Sequence, residues 1–292
     1  MKPAPFAYHS PRELHEALAL LAQAADGAQD VRILAGGQSL VPMMNFRLAA
    51  PDALIDIGRI SELRFVRVGP DGELEIGANT RQSELLRDRE VDRRWPILAE
   101  AVRNIAHPQI RSRGTVCGSL AHHDPTAELP ALAVALNARL HVASARGRRE
   151  VAAEEFFVSY YEVAFEPGEM LVSVTFPALE PGTGWAFREL ARRRGDFALV
   201  GAACVLAPRA PQNATTTRLV VFGVGERPVR VRAAEAELGC ADGEALDVDR
   251  VRAAVSGAVA PLSDIHASAD YRRAVASELA AQCAAEAWER RS

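Results

Sequence analysis

Leu34-Ala35-Gly36-Gly37-Gln38-Ser39-Leu40 follows directly on the apolar run Val31-Arg32-Ile33-Leu34, and this junction decides how the chain is read. The run has the aliphatic, β-branched character of a short strand. Two glycines, a glutamine and a serine follow it. Without Cβ atoms, successive backbone N–H groups can converge on one anion, and Ser39 adds a hydroxyl donor. A phosphate or diphosphate suits such a turn, since four or five charge-assisted hydrogen bonds of roughly 1.5–3 kcal/mol each would hold it without a lysine. A tight turn with a structural serine is the alternative that the segment alone leaves open.

A second segment, Arg113-Gly114-Thr115-Val116-Cys117-Gly118-Ser119-Leu120-Ala121-His122-His123-Asp124-Pro125, again supplies small residues and hydroxyls. Asp124-Pro125 has the cap-then-proline order of a helix start, whose free amides favour an anion. Two such segments imply a long ligand anchored at two points. A dinucleotide has that shape.

The flanking sequence organises around these two segments. Ser10 reads as a helix cap, with Pro11 at the first helical position and Glu13 completing a capping box. Leu14, Ala17, Leu18 and Leu21 recur at helical spacing, and Asp26-Gly27 ends the helix. Ala53 to Ile57 reads as a second strand. From Leu63 to Val68, through the turn Gly69-Pro70-Asp71-Gly72, to Leu74 to Ile76, the pattern is that of a β-hairpin. Helices are expected over 82–88 and from Pro96, the latter burying Leu98, Val102 and Ile105. Leu140 to Ala143 and Met170 to Phe176 read as strands. Two prolines and two glycines between Pro177 and Gly184 mark a domain boundary. Beyond it, strands over 198–206 and 219–224, joined by a polar 212–217 loop, precede alanine-rich helices near 232–239, 248–259 and 269–289. The expected class is α+β, with domains over 1–178, itself divided near residue 58, and 179–292.

Bulk properties exclude several functions. A chain of 292 residues suits two or three cores, and a 49% hydrophobic, 25% charged composition is ordinary for a soluble protein. A net charge of -4 gives no basic footprint for nucleic acid. No signal-peptide core and no run of about 18 apolar residues occurs, so a cytoplasmic protein without membrane insertion is expected. Without an export signal, the Asn213-Ala214-Thr215 sequon carries no meaning. Cys117, Cys204, Cys240 and Cys283 form no C-x-x-C pair, which argues against a zinc knuckle or an iron–sulfur cluster in this chain.

Rival motifs fail on spacing. Gly37-Gln38-Ser39-Leu40-Val41 lacks the last glycine of a nucleophile elbow, and no Walker-type G-x-x-x-x-G-K-[ST] occurs. Gly223-Val224-Gly225 runs into Pro228 without a third glycine. Adjacent His122 and His123 cannot both face one metal ion easily. Arg192-Arg193-Arg194 and Arg146-Gly147-Arg148-Arg149 read as solvated surface or hairpin turns.

Taken whole, AGGQSLVPMMNFRLAAP at 35–51 and GTVCGSLAHHDPTAELPA at 114–131 resemble the medium, FAD-binding subunit of molybdenum hydroxylases, the family of carbon monoxide dehydrogenase and the flavin domain of xanthine dehydrogenase. The likeness extends through Ile76-Gly77-Ala78-Asn79-Thr80, Gly195-Asp196-Phe197, Pro228-Val229-Arg230 and Tyr271-Arg272-Arg273. It implies a two-subdomain FAD-binding fold of the vanillyl-alcohol-oxidase type, followed by a C-terminal domain of antiparallel sheet and helices. It also implies that Leu34, Ala35, Gly36, Gly37, Gln38, Ser39 and Leu40 wrap the FAD diphosphate, with Thr115, Val116, Cys117, Gly118 and Ser119 as the second segment. Asp124 and Glu128 would support the loop or the ribityl chain, Ile105 and Leu171 would pack near the rings, and Arg188 falls where a lysine is frequent. Cys117 stands at a frequent glycine and Glu128 at a frequent aspartate. Cysteine demands negative φ more strictly than glycine, so a local backbone difference is expected there.

The same resemblance implies a division of labour. A large partner subunit would carry the molybdenum cofactor and a small one the 2Fe-2S clusters, in a dimer of heterotrimers, while this chain passes electrons through FAD to an external acceptor. No catalytic side chain and no metal ligand is expected here, because the flavin performs the chemistry. A self-sufficient FAD oxidase or dehydrogenase would need a substrate cap, for which the residues after the boundary look too few. A flavin-free assembly protein would not need the glycine segments. The substrate of the whole enzyme is not written in this chain.

Overall fold

The computed structural model describes residues 2–209, 217–240 and 246–292. The Asn213 sequon and all but the last residue of the expected 212–217 loop lie outside the described residues. The chain opens with strand Ala7–His9, helix Leu14–Asp26, strand Val31–Leu34, a short helix Leu40–Asn45 and strand Ala53–Asp56. These three strands are parallel, with Ala53–Asp56 in the middle. The first helix buries Leu14, Ala17, Leu21 and Ala24, close to the helical spacing seen in the sequence, and packs against strand Arg139–Ser144 of the next sheet.

That helix begins later than its sequence suggests, and Ser10 is not its cap. Glu13 occupies the cap position, and the Glu16 carboxylate accepts from the amides of Arg12 at 2.8 Å and Glu13 at 3.3 Å. Glu62, far along the chain, accepts the Leu14 amide at 2.9 Å. Three orphan donors of the first turn are thus satisfied without Ser10, one of them by a tertiary contact that no local pattern reveals.

A second sheet of five strands runs in the order Val66–Val68, Leu74–Gly77, Met170–Phe176, Arg139–Ser144, Gly147–Ala152, antiparallel throughout. All seven residues of its central strand Met170–Phe176 are buried. Helices Pro96–Asn104, Val116–His122 and Glu128–Ala135 pack around it. Every residue of Glu128–Ala135 is buried, because that helix lies between Pro96–Asn104 and the sheet that follows.

This third sheet has four antiparallel strands in sequence order, Gly184–Ala191, Ala198–Leu206, Arg218–Phe222 and Val229–Arg230. Side chains alternate between its faces. Ala186, Val200, Ala202, Cys204, Leu219 and Val221 meet helices Arg232–Cys240, Val248–Ala258 and Ala269–Arg290, while Phe187, Ala203, Val205, Val220 and Phe222 join the core of the preceding sheet. Both faces are therefore dry. Among the described residues no helix is long and apolar enough to cross a membrane.

Arg218 pins the third sheet to the helix below it. Its guanidinium, almost fully buried, donates to the Val134 carbonyl at 3.1 Å and to Asn137 Oδ1 at 2.7 Å, with Glu154 at 3.4 Å. Arg218→Ala would leave the Val134 carbonyl and Asn137 Oδ1 without this donor, while Glu154 keeps Arg230 and Arg232. It should destabilise the protein by about 3 kcal/mol, read as a lower urea midpoint; an unchanged midpoint would remove this side chain from the list of structural pins.

Candidate functional site

Strand Val31–Leu34 delivers the first glycine segment to the point where the second one crosses it. The second is held in place by a short pairing with residues 80–82: the Gln82 amide donates to the Gly114 carbonyl at 2.9 Å and the Val116 amide to the Thr80 carbonyl at 3.1 Å. At the crossing, a Cβ on Gly36 would lie 2.5 Å from the Arg113 carbonyl oxygen and 2.9 Å from Gly114 Cα. Only glycine allows this approach. Gly37 next to it has φ +72°, in the left-handed region that favours glycine.

A cleft of about 550 Å³ opens here, lined by Leu34, Ala35, Gly36, Gly37 and Gln38. Among the described residues the amides of Gly36, Gly37, Gln38 and Ser39 donate to no protein acceptor. Gln38 Nε2 donates to the Gly36 carbonyl at 3.1 Å, which steadies the turn. Four unengaged N–H groups at a turn whose two glycines present no side chain fit a diphosphate, so the residues present suit the group that the resemblance implied. Ser39 and Leu40 flank the turn and begin helix Leu40–Asn45.

The second segment enters its helix earlier than its sequence suggested. Its helix starts at Val116, not after Asp124, with Thr115 as cap accepting from the Gly118 amide at 3.1 Å. The Ser119 amide is likewise engaged by the Thr115 carbonyl. Gly36 of the first segment rests against Arg113 and Gly114 of this one, while the Cys117 amide and the Ser119 hydroxyl donate to no protein acceptor among the described residues. Asp124 folds back on Thr126, accepting from its amide at 2.9 Å and its hydroxyl at 2.7 Å, and Glu128 opens the next helix.

Cys117 lies in helical, negative-φ backbone, so cysteine there is unstrained and the expected backbone difference does not arise. Its thiol contacts the Ile76 carbonyl at 3.7 Å, and burial pushes its pKa up, which leaves it inert.

The remaining candidates do not line the cleft. Ile105 and Leu171 belong to the main core. Arg188 lies on the third sheet, paired with Glu286 at 2.9 Å on the last helix, because its neighbour Phe187 faces the opposite way. Glu128 sits buried in the seam below that sheet. Burial, then the nearby charge of Glu189, pushes its pKa up to about 8. Burial alone raises Glu189 to about 7, and its Oε2 is buried without a hydrogen-bond partner. His123 is fully buried, its Nδ1 3.0 Å from the Glu162 carbonyl oxygen.

Three charged side chains of the cleft had no role in the sequence reading: Asp56, Arg81 and Arg113. Arg81 follows Asn79-Thr80 and reaches the cleft through its bridge to Thr115. Its place depends on a pairing between residues far apart in sequence, and no local signal announces it.

Comparison with known proteins agrees with this geometry. The family described as FAD binding domain in molybdopterin dehydrogenase matches residues 4–179, and that described as CO dehydrogenase flavoprotein C-terminal domain matches residues 185–287. The chain is 39% identical to the 6-hydroxypseudooxynicotine dehydrogenase complex subunit alpha of Paenarthrobacter nicotinovorans, over 99% of this chain and 97% of that one. It is 38% identical to the carbon monoxide dehydrogenase medium chain of Hydrogenophaga pseudoflava, over 99% of both. The structure of carbon monoxide dehydrogenase from that organism, lacking the Mo-pyranopterin moiety of its cofactor, superposes over the whole of both chains with a TM-score of 0.91. The α+β fold, the glycine-floored cleft and these full-length matches lead to one assignment: the chain belongs to the family of FAD-binding medium subunits of molybdenum-hydroxylase-type dehydrogenases.

Proposed function

We propose that this chain is the electron-transfer subunit of such an enzyme, receiving electrons from iron–sulfur centres of a small partner and delivering them to an external acceptor. The molybdenum cofactor would sit in a large partner, the assembly being a dimer of heterotrimers in the cytoplasm. Residues 1–178 and 179–292 are read as its FAD-binding and C-terminal domains. The observation that carries the proposal is the row of four unengaged amides, Gly36 to Ser39, on the cleft beside a crossing where Gly36 has no room for a Cβ.

Bound FAD would supply the redox chemistry. The chain's own residues bind and orient. Amides of the first segment would take the diphosphate, with Leu34, Ala35 and Leu40 shaping the turn. Thr115, Val116, Cys117, Gly118 and Ser119 back that turn and fix its position. For Asp124, Glu128, Ile105, Leu171 and Arg188, contact with the ribityl chain or the rings rests on the family resemblance.

One preparation tests the reading. Native tagged protein should be yellow, release non-covalent FAD on denaturation, and bring with it subunits containing molybdenum and iron. A colourless protein that refuses added FAD, or a complex devoid of both metals, would overturn it.

A further inference from the structure

We infer that Arg81 and Arg113 form a cationic pair that neutralises the diphosphate of the bound dinucleotide. This rests on the reading that the cleft takes a diphosphate. Both side chains line the same cleft as Gly36 and Gly37. Neither has a carboxylate partner among the described residues. Arg81 is half-buried and donates to the backbone carbonyl of Arg113, and the side chain of Arg113 makes no hydrogen bond or ion pair there. The nearest candidate acid, Glu84, is engaged by Arg64 at 3.0 Å.

Asp56, the one carboxylate lining the cleft among the described residues, accepts from the Tyr8 hydroxyl at 2.5 Å and the Gly58 amide at 2.8 Å. The cleft thus presents two guanidinium groups against one carboxylate that is already hydrogen-bonded. Burial first, then the like charges of Arg64 and Arg113, lower the pKa of Arg81, and the more weakly felt charges of Glu84 and Asp56 offset only part of this. A half-buried guanidinium without a counter-ion is uncommon, because desolvating an unpaired charge is costly. The two negative charges of a dinucleotide diphosphate complement this pair.

The two donor sets on the cleft differ in one measurable respect. Backbone amides bind phosphate through short-range hydrogen bonds that respond little to salt, whereas guanidinium groups add a screened coulombic attraction. Arginine also matches two phosphate oxygens with its planar fork, which lysine cannot do. The pair would therefore set both the ionic-strength dependence of FAD binding and the preference for FAD over riboflavin, which carries no phosphate.

The test uses the flavin-free full chain, titrated with FAD and with riboflavin at low and high salt and followed by quenching of flavin fluorescence. Parent protein should bind FAD more weakly as salt rises. Arg81→Gln and Arg113→Gln should each weaken FAD roughly tenfold to a hundredfold at low salt and flatten the salt dependence, leaving riboflavin affinity as it was. Arg81→Lys should recover part of the loss. The Arg113 side chain is exposed and makes no hydrogen bond or ion pair among the described residues, so its variant reports on binding even if the Arg81 variants fold poorly. Variants that bind FAD like the parent, with the same response to salt, would overturn this inference and leave the diphosphate reading intact. A folded parent that binds no FAD would instead remove the reading beneath it.

Discussion

Gly36→Val is expected to strip the chain of its flavin. A Cβ at this position would sit 2.5 Å from the Arg113 carbonyl oxygen and 2.9 Å from Gly114 Cα, both backbone atoms. A clash with a flexible side chain can relax, but here the neighbour is tied down. The amides of Gln82 and Val116 bind it on either side. The two glycine segments must separate, and that displaces the amides of Gly36 to Ser39 from their common focus. We expect FAD affinity to fall at least about a hundredfold, which corresponds to roughly 2.7 kcal/mol. The flavin-free protein should lose about 1–3 kcal/mol of stability through overpacking. Flavin-to-protein ratio after purification reads the first effect and urea denaturation the second. At Gly37 the added Cβ would meet only the side chains of Leu34 and Val41, each at 3.2 Å, with a strained φ as the main penalty. If Gly36→Val retained FAD at the parent's ratio, the crossing would not be the binding site.

The second large effect should appear in the pH dependence of stability. Glu128 has its pKa raised to about 8 and Glu189 to about 7, against an ordinary value near 4.3 in an unfolded chain. The folded protein therefore holds protons that the unfolded one releases. The stability this contributes is fully present below about pH 4.3 and is lost as pH rises through 7 and then 8. For Glu128 alone the span corresponds to about 3–5 kcal/mol, and the two sites are coupled, so their effects do not simply add. Glu128→Gln keeps the shape and removes the titration. Flavin-free Glu128→Gln should be several degrees more stable than the parent at pH 9, with the difference closing toward pH 5. Parallel pH profiles for the two proteins would show that the seam does not hold Glu128 in its neutral form.

Much of the architecture was legible because the relevant signals are local. Met170–Phe176 and Ala198–Leu206 appear in the structure with the bounds their apolar runs suggested. The last three helices lie where alanine-rich stretches with recurring aliphatic positions placed them. The strand Val31–Leu34 running into a glycine turn was readable for the same reason, and Gly37 takes the positive φ that such a turn requires. The helix Val116–His122 was not. Glycine and β-branched residues are weak helix formers, and that helix exists because Thr115 caps it and tertiary packing buries Val116, Cys117 and Leu120. The Asp124-Pro125 signal was followed by a helix, Glu128–Ala135, that begins a turn later, with Ala127 as its cap. Arg81 and Arg113 were invisible as a pair, because 31 positions separate them and their meeting depends on the bridge between Arg81 and Thr115. Arg188, named from the family resemblance alone, pairs with Glu286 on the last helix, a contact across 98 positions that no local pattern announces.

The helix Glu128–Ala135, closed in on every side, has a practical consequence for anyone who would take the chain apart. Half of its enclosure comes from strands that are translated much later. Expression of the first half alone would leave an uncovered greasy ridge on a nascent product, and a chimera that borrowed its second half from a relative would inherit a mismatched lid. The molecule is thus a poor donor of interchangeable parts, and recombination between such subunits should succeed only when Phe187, Val205, Val220 and Phe222 travel together with the helix they cover.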